Sequence, residues 1–494
     1  MSEYQAPFVL AVDIGSSSVK AGLYDATALA VAGTDVSVAH EQIVASDGTS
    51  EEDAAQIQLA AEQAIDGVLE KAGVHAASIE AVGFDAMAST VLGVDKNDDP
   101  VTPVYTYADT RTAQDVEQLK AELNVPVMYD RTGVMQHTSY LPGRMRWLRR
   151  TNPNLFSSID RYLDISTYLF TQWFGHRDVH ASYCVSSWSG LLNRRDLCWD
   201  LGLLGRLGIG EENLPSLAPW HEPEIGLSAD YAQRWQQLAE VPFYLSVGDG
   251  AAVNVGTGCV NDGRVALTVG TTGAMRVLSD NAAPEVPNGL WGYRLGSEHT
   301  LLGGSFSEGG NVIQWAMNTL RLPPVEQLNT ELNKLNPADH GIDVLPFIAG
   351  ERATGWSNNA SGMFRGIRQA TTPLQILQAI LESVSYRFSL VADLLLPGTS
   401  ANYEVVASGG AIQNLSWWMQ TMSDVLGVPV SVSAEEQDTS RGAAILALKA
   451  LGTWESLDDV PAKIARTFDP RSGISDAYEE AKARQVDLYK RLLG

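Results

Sequence analysis

Two short segments, one in each half of the chain, place glycine and small hydroxylated residues between apolar runs. Residues 10–23 read LAVDIGSSSVKAGL and residues 266–278 read ALTVGTTGAMRVL, and the two align at Gly15 and Gly270. Small residues at a tight turn leave backbone N–H groups exposed, and with neighbouring hydroxyl groups these donors can bind phosphate oxygens. Because the pattern occurs twice, we interpret it as a pair of phosphate-binding tips rather than as two ordinary hairpins.

The residues in and around the two tips form a candidate phosphate site. Asp13 precedes the first tip, where a carboxylate can hold a magnesium ion through water, and Lys20 follows it as a positive charge. The second segment has Thr268 at the position of Asp13, so only the first half supplies this carboxylate. The predicted phosphate contacts are Gly15, Ser16, Ser17, Lys20, Gly270 and Thr271.

A single aspartate, Asp249, lies between glycines in the segment VGDGAAVNVGTG of residues 247–258. We expect a strand over residues 243–247 and a helix that begins near Ala251, which puts Asp249 at their junction. An aspartate at this point can be an N-cap that satisfies backbone N–H groups. It can also be a general base between two lobes, since the flanking glycines let a substrate approach.

Two further glycine pairs come directly before helical patterns. The segment SGGAIQN reads as the end of a strand and a helix whose first turn carries Asn414, and EGGNVIQW repeats the pattern around Gly310 and Gln314. Paired glycines at a strand end allow a flat ring or a ribose to approach closely, although a plain strand–helix turn has the same sequence. His176 and His180 are four residues apart, but no Glu and no third ligand accompany them, which argues against a metal site.

The elements that must position these residues alternate between strands and helices. After Gly15 the apolar residues follow the period of a strand, so each tip is predicted to close a β-hairpin and not the strand–helix turn of a Rossmann fold. The other predicted elements are helices over residues 53–71 and 374–396 and short strands over residues 79–84 and 404–407. This alternation predicts an α/β protein of two duplicated lobes, residues 1–258 and 259–494.

The composition narrows the class of protein. The chain has 494 residues, of which 45% are hydrophobic and 19% charged, as in an ordinary globular protein, and its formal net charge is −25. Such a charge repels phosphate backbones and anionic lipids, so we predict neither a nucleic-acid partner nor a membrane partner. The three cysteines form no Cys-x-x-Cys pair, no apolar run could span a bilayer, and no signal peptide is recognised. We therefore expect a cytoplasmic protein.

In their order along the chain, these segments resemble those of the FGGY carbohydrate kinases, relatives of actin and the heat-shock ATPases. The resembling segments are DIGSSSVK for the first phosphate motif, YADTR for the sugar-binding segment, GDGAAVNVGTG for the catalytic segment, VGTTG for the second phosphate motif, GGAIQN for the adenosine loop and FIAGERATGWSNNASGMFRGI for the family signature. The resemblance runs over nearly the whole chain. It implies two ribonuclease H-like lobes with a cleft between them.

The resemblance also implies a role for each matching residue. Asp249 matches the base that takes a proton from the sugar hydroxyl, and Asp13 matches the carboxylate that orients magnesium on ATP. Met87 and Asp109 match positions that contact the sugar, whereas Ala88 stands where members often have histidine, which changes one sugar contact. The tip residues would contact the phosphates. The remaining matches, near the ribose and the adenosine, are Gly310, Gln314, Gly410 and Asn414.

The implied reaction is phosphorylation of a sugar or sugar acid by ATP with Mg²⁺. The segments GERATGWSNNASG and VSSWSGLLN resemble the gluconate and xylulose kinase branch, so D-gluconate is favoured and D-xylulose or another polyol is the alternative. A gluconate carboxylate needs a cation or N–H donors, for which Arg144 and Arg352 are candidates. An ATP-driven switch and an inactive sugar sensor are alternatives from other classes, and intact Asp13 and Asp249 argue against the sensor. Members are often dimers, so the resemblance leaves a homodimer as an option.

Overall fold

The chain builds two large mixed β-sheets, one in each half, with helices packed around them. A computed structural model describes residues 4–413 and 415–493. Within these ranges each large sheet has seven strands, and smaller sheets of two or three strands accompany them. The predicted α/β class is therefore confirmed.

The elements of the described ranges run as follows. The strands are β1 Phe8–Ile14, β2 Ser18–Tyr24, β3 Val36–Ala39, β4 Gln42–Val44, β5 Ser50–Glu52, β6 Ile79–Ala86, β7 Leu92–Val94, β8 Val104–Tyr105, β9 Arg161–Leu163, β10 Ala181–Ser182, β11 Leu192–Asn193, β12 Cys198–Trp199, β13 Leu217–Ala218, β14 Pro223–Glu224, β15 Phe243–Tyr244, β16 Val247–Gly248, β17 Arg264–Val269, β18 Gly273–Ser279, β19 Trp291–Arg294, β20 Thr300–Phe306, β21 Asp343–Leu345, β22 Met363–Arg365, β23 Glu404–Ser408, β24 Val430–Ser433 and β25 Ile464–Phe468. The α-helices are α1 Ala54–Ala72, α2 Ala113–Glu122, α3 Val125–Thr132, α4 Leu141–Thr151, α5 Pro153–Ser158, α6 Ile165–Phe174, α7 Tyr183–Ser187, α8 Leu201–Leu207, α9 Ala229–Arg234, α10 Asp249–Gly256, α11 Gly310–Thr319, α12 Val325–Leu332, α13 Pro373–Leu395, α14 Gly410–Gln413, α15 Ser416–Leu426, α16 Asp438–Ala450 and α17 Ser475–Leu492.

The two large sheets repeat one strand order, as the duplicated tips predict. In the first sheet β3, β2, β1, β6 and β15 lie side by side in this order, and in the second the corresponding strands are β20, β18, β17, β23 and β24. Both hairpins, β1–β2 and β17–β18, are antiparallel, and both then extend in parallel, through β6 and through β23. Each tip therefore lies at the same end of its sheet as the carboxyl ends of the parallel strands.

The long helices predicted from sequence are present. Helix α1 begins after Asp53, whose carboxylate accepts the backbone N–H of Ala55 at 2.8 Å. Helix α13 begins after Thr372, which forms a capping box with Gln375. Such caps satisfy N–H groups that have no partner in the first helical turn. None of the helices in the described ranges is long and apolar enough to cross a membrane.

The segment around Asp249 differs from its prediction in two details. The expected strand over residues 243–247 is split into β15 and β16, and between them the Ser246 carbonyl accepts the Ser182 hydroxyl at 2.5 Å. Helix α10 begins at Asp249 itself rather than near Ala251, and Gly248 is the residue at its N-cap. A carboxylate in the first turn of a helix is favoured by the helix dipole, which explains the earlier start.

Helix α16 of the second half packs on the sheet of the first half. It makes its most extensive packing with α10 and also covers β1 and β6. The contact is close enough to require glycine: a Cβ at Gly256 would collide with the Asp438 carbonyl, and one at Gly442 would collide with the Ala252 carbonyl. The two halves are thus joined by a tight helix pair, and one of these helices begins with Asp249.

Candidate active site

A pocket between the two halves contains Asp249. The first half supplies one wall and the second half the other. The lining includes Ala88, Ser89, Tyr107, Tyr140 and Trp188 from the first half, Asp249 at the junction, and Thr272, Arg276, Tyr293, Arg352 and Trp356 from the second half. A molecule bound here would be enclosed on both sides.

Asp249 presents a half-buried carboxylate to this pocket. Its Oδ1 accepts the backbone N–H of Gly250 at 2.8 Å. Burial raises the pKa of Asp249 above its usual value, while the positive charges of Arg276 and Arg352 act in the opposite direction. A carboxylate with a raised pKa is a better proton acceptor than an ordinary aspartate, which is what a general base needs.

Two arginines face Asp249, and sequence reasoning found only one of them. Arg352 donates to the Phe306 carbonyl at 2.8 Å, and its guanidinium lies 5.5 Å from the centre of the Tyr107 ring. Arg276 is buried on β18 and donates to the Thr268 hydroxyl at 3.0 Å, but its Nε has no partner among the described residues. Burial lowers the pKa of Arg276 to about 10, so it is still protonated at neutral pH.

The other arginine proposed for a carboxylate, Arg144, does not reach the pocket. It is buried in α4 and donates to three backbone carbonyls, those of Ser89 at 3.2 Å, Thr106 at 2.6 Å and Thr138 at 3.1 Å. These bonds tie together the loops that follow β6 and β8. Arg144 therefore supports the wall of the pocket from behind.

Stacked aromatic rings form one side of the pocket. The rings of Trp188 and Tyr293 stack with their centres 3.8 Å apart, and the rings of Trp291 and Tyr293 stack at 4.2 Å. The Tyr293 hydroxyl hydrogen-bonds that of Tyr140 at 2.7 Å, across the two halves. A broad aromatic face beside charged groups is a surface on which the C–H face of a sugar can lie.

The predicted sugar contacts are only partly brought together. Ala88 lines the pocket, as its position after Met87 suggests. Met87 itself is buried in the apolar core of the first half. Asp109 is buried, and Arg111 Nε donates to both of its oxygens at 3.1 Å, so its carboxylate is occupied by an ion pair outside the pocket lining. The contacts of Met87 and Asp109 with a sugar stay predictions.

Asp13 lies close to Asp249 and to a carboxyl that the sequence analysis did not single out. In the register of the sheet, Asp13 lies opposite Lys20 in the β1–β2 hairpin and opposite Asp85 on the parallel strand β6. Burial raises the pKa of Asp13 to about 6, opposed by the charge of Lys20. Asp85 is completely buried, and burial together with the Asp13 and Asp249 charges raises its pKa well above the usual value. Asp13 and Asp85 thus lie side by side at this end of the first sheet, and the charge of Asp249 acts on both.

The second tip is packed against the two other glycine pairs. The Gly310 N–H donates to the Gly270 carbonyl at 2.6 Å, and the Asn311 N–H donates to the Thr271 carbonyl at 3.1 Å. The start of α11 therefore lies directly on the tip. Thr271 and Gln314 are exposed, and Gly410 is exposed at the start of α14, while Asn414 lies outside the described residues.

The first tip has fewer neighbours. Gly15 and Ser16 are half-buried and Ser17 is exposed, and the Gly15 N–H donates to the Ser18 carbonyl at 3.2 Å, which closes the turn. His40 Nε2 hydrogen-bonds the Gly15 carbonyl at 3.0 Å, which fixes the backbone of the tip. The sequence has no glutamate near His176 and His180, but the fold brings Glu224 beside both, 3.7 Å from His176 Nε2 and 3.4 Å from His180 Nδ1. No group of three or more metal-ligating side chains occurs in the described part of the chain.

Family comparisons agree with this arrangement. The family described as FGGY carbohydrate kinases, N-terminal domain, matches residues 8–256, and the corresponding C-terminal domain matches residues 265–451. The chain belongs to the FGGY family of carbohydrate kinases. The predicted family and the predicted class of enzyme are confirmed, so its substrates are small sugars. The switch and sensor alternatives are therefore not favoured.

The relatives of this kinase come from more than one branch of the family. It is 27% identical to a gluconokinase of Bacillus subtilis over 484 residues, which covers 96% of this chain and 93% of that protein. The solved gluconate kinase of Lactobacillus acidophilus superposes with a TM-score of 0.90 at 24% identity, covering 98% of both chains. The ligand-bound xylulose kinase of the same organism superposes with a TM-score of 0.91, also at 24% identity and 98% coverage of both. These structures confirm the two-lobe fold.

Proposed function

We propose that this kinase transfers the terminal phosphoryl group of ATP to a hydroxyl of a sugar acid, with D-gluconate giving 6-phosphogluconate as the reaction. The observation that carries the proposal is the pair of arginines, Arg276 and Arg352, in a pocket with one catalytic carboxylate, Asp249. The named gluconokinase relative supports the same substrate.

The charges that line the pocket do not balance. With Asp249 ionised, the two guanidinium groups leave the pocket with one excess positive charge. Burying an unbalanced charge is unfavourable, and a substrate carboxylate would restore neutrality. Arg276 in addition keeps its buried Nε without a partner among the described residues, and a carboxylate oxygen could accept a hydrogen bond from it. Arginine is suited to this task because its planar donors match the geometry of a carboxylate.

Asp249 acts as the general base in the proposed reaction. A sugar hydroxyl has a pKa far above 7, so its proton must be accepted as the oxygen attacks phosphorus. The neighbouring Gly250 keeps this approach open: a Cβ there would lie 2.7 Å from the Trp188 ring and 3.1 Å from Arg276 Nε. Closure of the two halves over the substrates would exclude water, which would otherwise hydrolyse ATP.

The phosphates of ATP would lie between the two tips. The proposed contacts are the N–H and hydroxyl groups of Ser16, Ser17 and Thr271 and the amine of Lys20. Gly310 and Gly410 would border the nucleoside. Asp13 fits a magnesium ion, because it combines a hard oxygen ligand with a position beside the phosphate site. Magnesium supplies neutralisation of phosphate charge, which contributes strongly to phosphoryl transfer.

The division of the chain at residues 258 and 259 is part of this proposal. It is supported by the two large sheets, whose strands fall within residues 8–248 and 264–468. Helix α16 is the exception, since it belongs to the second half in sequence and covers the first sheet.

The substrate is tested by measuring ADP release from Mg-ATP with D-gluconate, D-xylulose, L-ribulose, glycerol, erythritol, ribitol or no sugar. We expect turnover with gluconate and little with the neutral sugars. Turnover with xylulose or a polyol alone would contradict the proposal of a sugar-acid substrate, but the protein would still be a carbohydrate kinase. ADP release at the same rate with and without sugar would contradict both the sugar-acid substrate and the sugar kinase activity.

The base is tested with Asp249→Ala. We expect this variant to lose gluconate phosphorylation by at least about 100-fold, the usual contribution of a positioned base. Binding of ATP, measured by calorimetry without sugar, should stay near the wild-type value. Substantial residual turnover would show that another group accepts the proton.

A further inference from the structure

A row of charged side chains crosses three neighbouring strands beneath the first tip. Asp13 on β1 is in register with Lys20 on β2 and with Asp85 on β6. Residues directly opposite each other on neighbouring strands project from the same face of a sheet. The row therefore places two carboxyl groups side by side, with one amine at its end.

Asp85 has no hydrogen-bond donor for either of its oxygens among the described residues. Its side chain is completely buried, and the polar side chain that meets it is the Asp13 carboxyl. A buried carboxyl without a donor is costly for a protein to keep. A positive charge beside the two carboxyl groups, in addition to that of Lys20, would offset this cost.

The charges that surround this pair are mostly negative. Asp85 is affected by the negative charges of Asp13 on β1 and Asp249 on α10 and by the positive charge of Lys20 on β2. Tyr24, also on β2, contributes a neutral phenol. β16 runs beside β6, with Val247 opposite Asp85, which is how Asp249 reaches the same end of the sheet. Within the described residues, Lys20 is the cation whose charge acts on both Asp13 and Asp85.

We propose that Asp85 is a second carboxylate ligand, beside Asp13, of the divalent cation that accompanies the nucleotide. The cation is Mg²⁺ in the proposed reaction, and the site is completed by phosphate oxygens and water. Mg²⁺ is typically held by one or two carboxylates together with substrate phosphates rather than by a cage of protein ligands.

This assignment rests on the proposed function for the nucleotide and not for the sugar. It explains why this chain places a carboxyl at a buried strand position that offers it no donor within the described residues. Asp13 and Asp85 would hold the cation together, and a second carboxylate would bind it more firmly than Asp13 alone.

The test measures metal binding directly, with Mn²⁺ as the probe and ADP as the nucleotide. The electron paramagnetic resonance signal of free Mn²⁺ is titrated in the presence of the full-length enzyme and ADP, without sugar. We compare wild type with Asp85→Asn, which keeps the shape and removes the ligand charge. Asp115→Asn is the matched control, because Asp115 is also a buried aspartate of the first half but is already paired with Arg150.

We expect Asp85→Asn to weaken Mn²⁺ binding to the ADP complex about tenfold or more, the range found when metal-site partners are lost. ADP binding in the presence of a chelator should not change, and the Asp115→Asn variant should bind Mn²⁺ like wild type. Equal Mn²⁺ affinity for wild type and Asp85→Asn would overturn the proposal and leave Asp85 as a proton-sharing neighbour of Asp13.

A second variant guards against a folding defect. Asp85→Ser removes the carboxyl with a smaller side chain, and a folded variant of either kind, verified by circular dichroism, is sufficient for the test. No Mn²⁺ binding by the wild-type ADP complex would also overturn the proposal. Because sugar is absent, a kinase that rejects gluconate leaves this result unaffected.

Discussion

Arg276 and Arg352 enter the pocket from different elements and are held in different ways. Arg352 lies on a loop and is anchored by the Phe306 carbonyl, whereas Arg276 projects from the middle of β18 and is anchored by the Thr268 hydroxyl. Thr268 is the residue that replaces Asp13 in the second tip segment. In the proposed reaction the two halves therefore differ: the first half keeps a carboxylate that would hold a metal cation, and the second half supports an arginine that would bind the substrate.

The role of Arg276 is tested by Arg276→Gln. We expect the KM for gluconate to rise about 10- to 100-fold, since a hydrogen bond to a charged group contributes about 1.5–3 kcal/mol. Arg276→Lys, which restores the charge without the planar donors, should recover part of this loss. The measurement is steady-state ADP release at saturating Mg-ATP. An unchanged KM for gluconate in Arg276→Gln would assign the carboxylate to another group.

A second residue-scale prediction concerns pH. Glu52 is completely buried beneath the first tip, with Oε2 3.6 Å from His40 Nδ1, and its oxygens have no hydrogen-bond partner among the described residues. Burial raises the pKa of Glu52 to about 8, whereas it is about 4.3 in an unfolded chain. Between these values the native state keeps a proton that the unfolded state has lost. Stability should therefore fall as the pH rises from about 4.3 to about 8.

Glu52→Gln should remove this contribution. We expect the free energy of unfolding, measured with urea, to fall less between pH 6 and pH 8.5 in the variant than in wild type. A difference of the order of 1–3 kcal/mol is reasonable, because one pKa unit corresponds to about 1.4 kcal/mol. Glu51→Gln, the same change one residue away, is the control. Parallel pH profiles for wild type and Glu52→Gln would show that Glu52 titrates normally.

At the scale of elements, the contact between the second tip and the residues that precede α14 can be tested by substitution. Gly409 has a φ of +110°, and a Cβ there would collide with the Val269 carbonyl next to the tip. A Cβ at the adjacent Gly410 would meet nothing within 4 Å. Gly409→Ala should therefore lower the free energy of unfolding by about 1–3 kcal/mol, and Gly410→Ala should not. Urea unfolding of the two variants decides this, and equal stability would contradict the close contact.

The sequence predicts individual helices and hairpins better than it predicts which side chains meet between them. The hairpins, α1 and α13 follow local periodicity and caps, so the sequence alone predicts them within a residue or two. The neighbours of Asp85 and Arg276 lie on strands far away in sequence, and register decides which side chains meet. Asp85 comes directly after the strand predicted over residues 79–84, and no local pattern indicates that Asp13 lies beside it. The pairing of Asp109 with Arg111, in contrast, is within reach of a local argument.

For the whole molecule, the important contact is the helix pair α10–α16 between the halves. Helix α10 carries Asp249 at its first residue, and α16 rests on β1 and β6, which carry Asp13 and Asp85. Any change in this contact is therefore transmitted to both carboxylates of the proposed reaction, Asp249 and Asp13. We expect the two halves to unfold together rather than as independent units.

Two glycine-to-alanine variants separate helix propensity from this contact. Alanine is favoured over glycine inside a helix by about 1 kcal/mol. A Cβ at Gly205 in α8 would meet nothing within 4 Å, so Gly205→Ala should be neutral or slightly stabilising. Gly442→Ala in α16 should instead lower the free energy of unfolding by about 1–3 kcal/mol, because its methyl group would collide with the Ala252 carbonyl of α10. Since α10 would have to shift, gluconate turnover should fall as well. Urea unfolding and ADP release measure the two effects, and a Gly442→Ala enzyme as stable and active as Gly205→Ala would show that the helix pair tolerates separation.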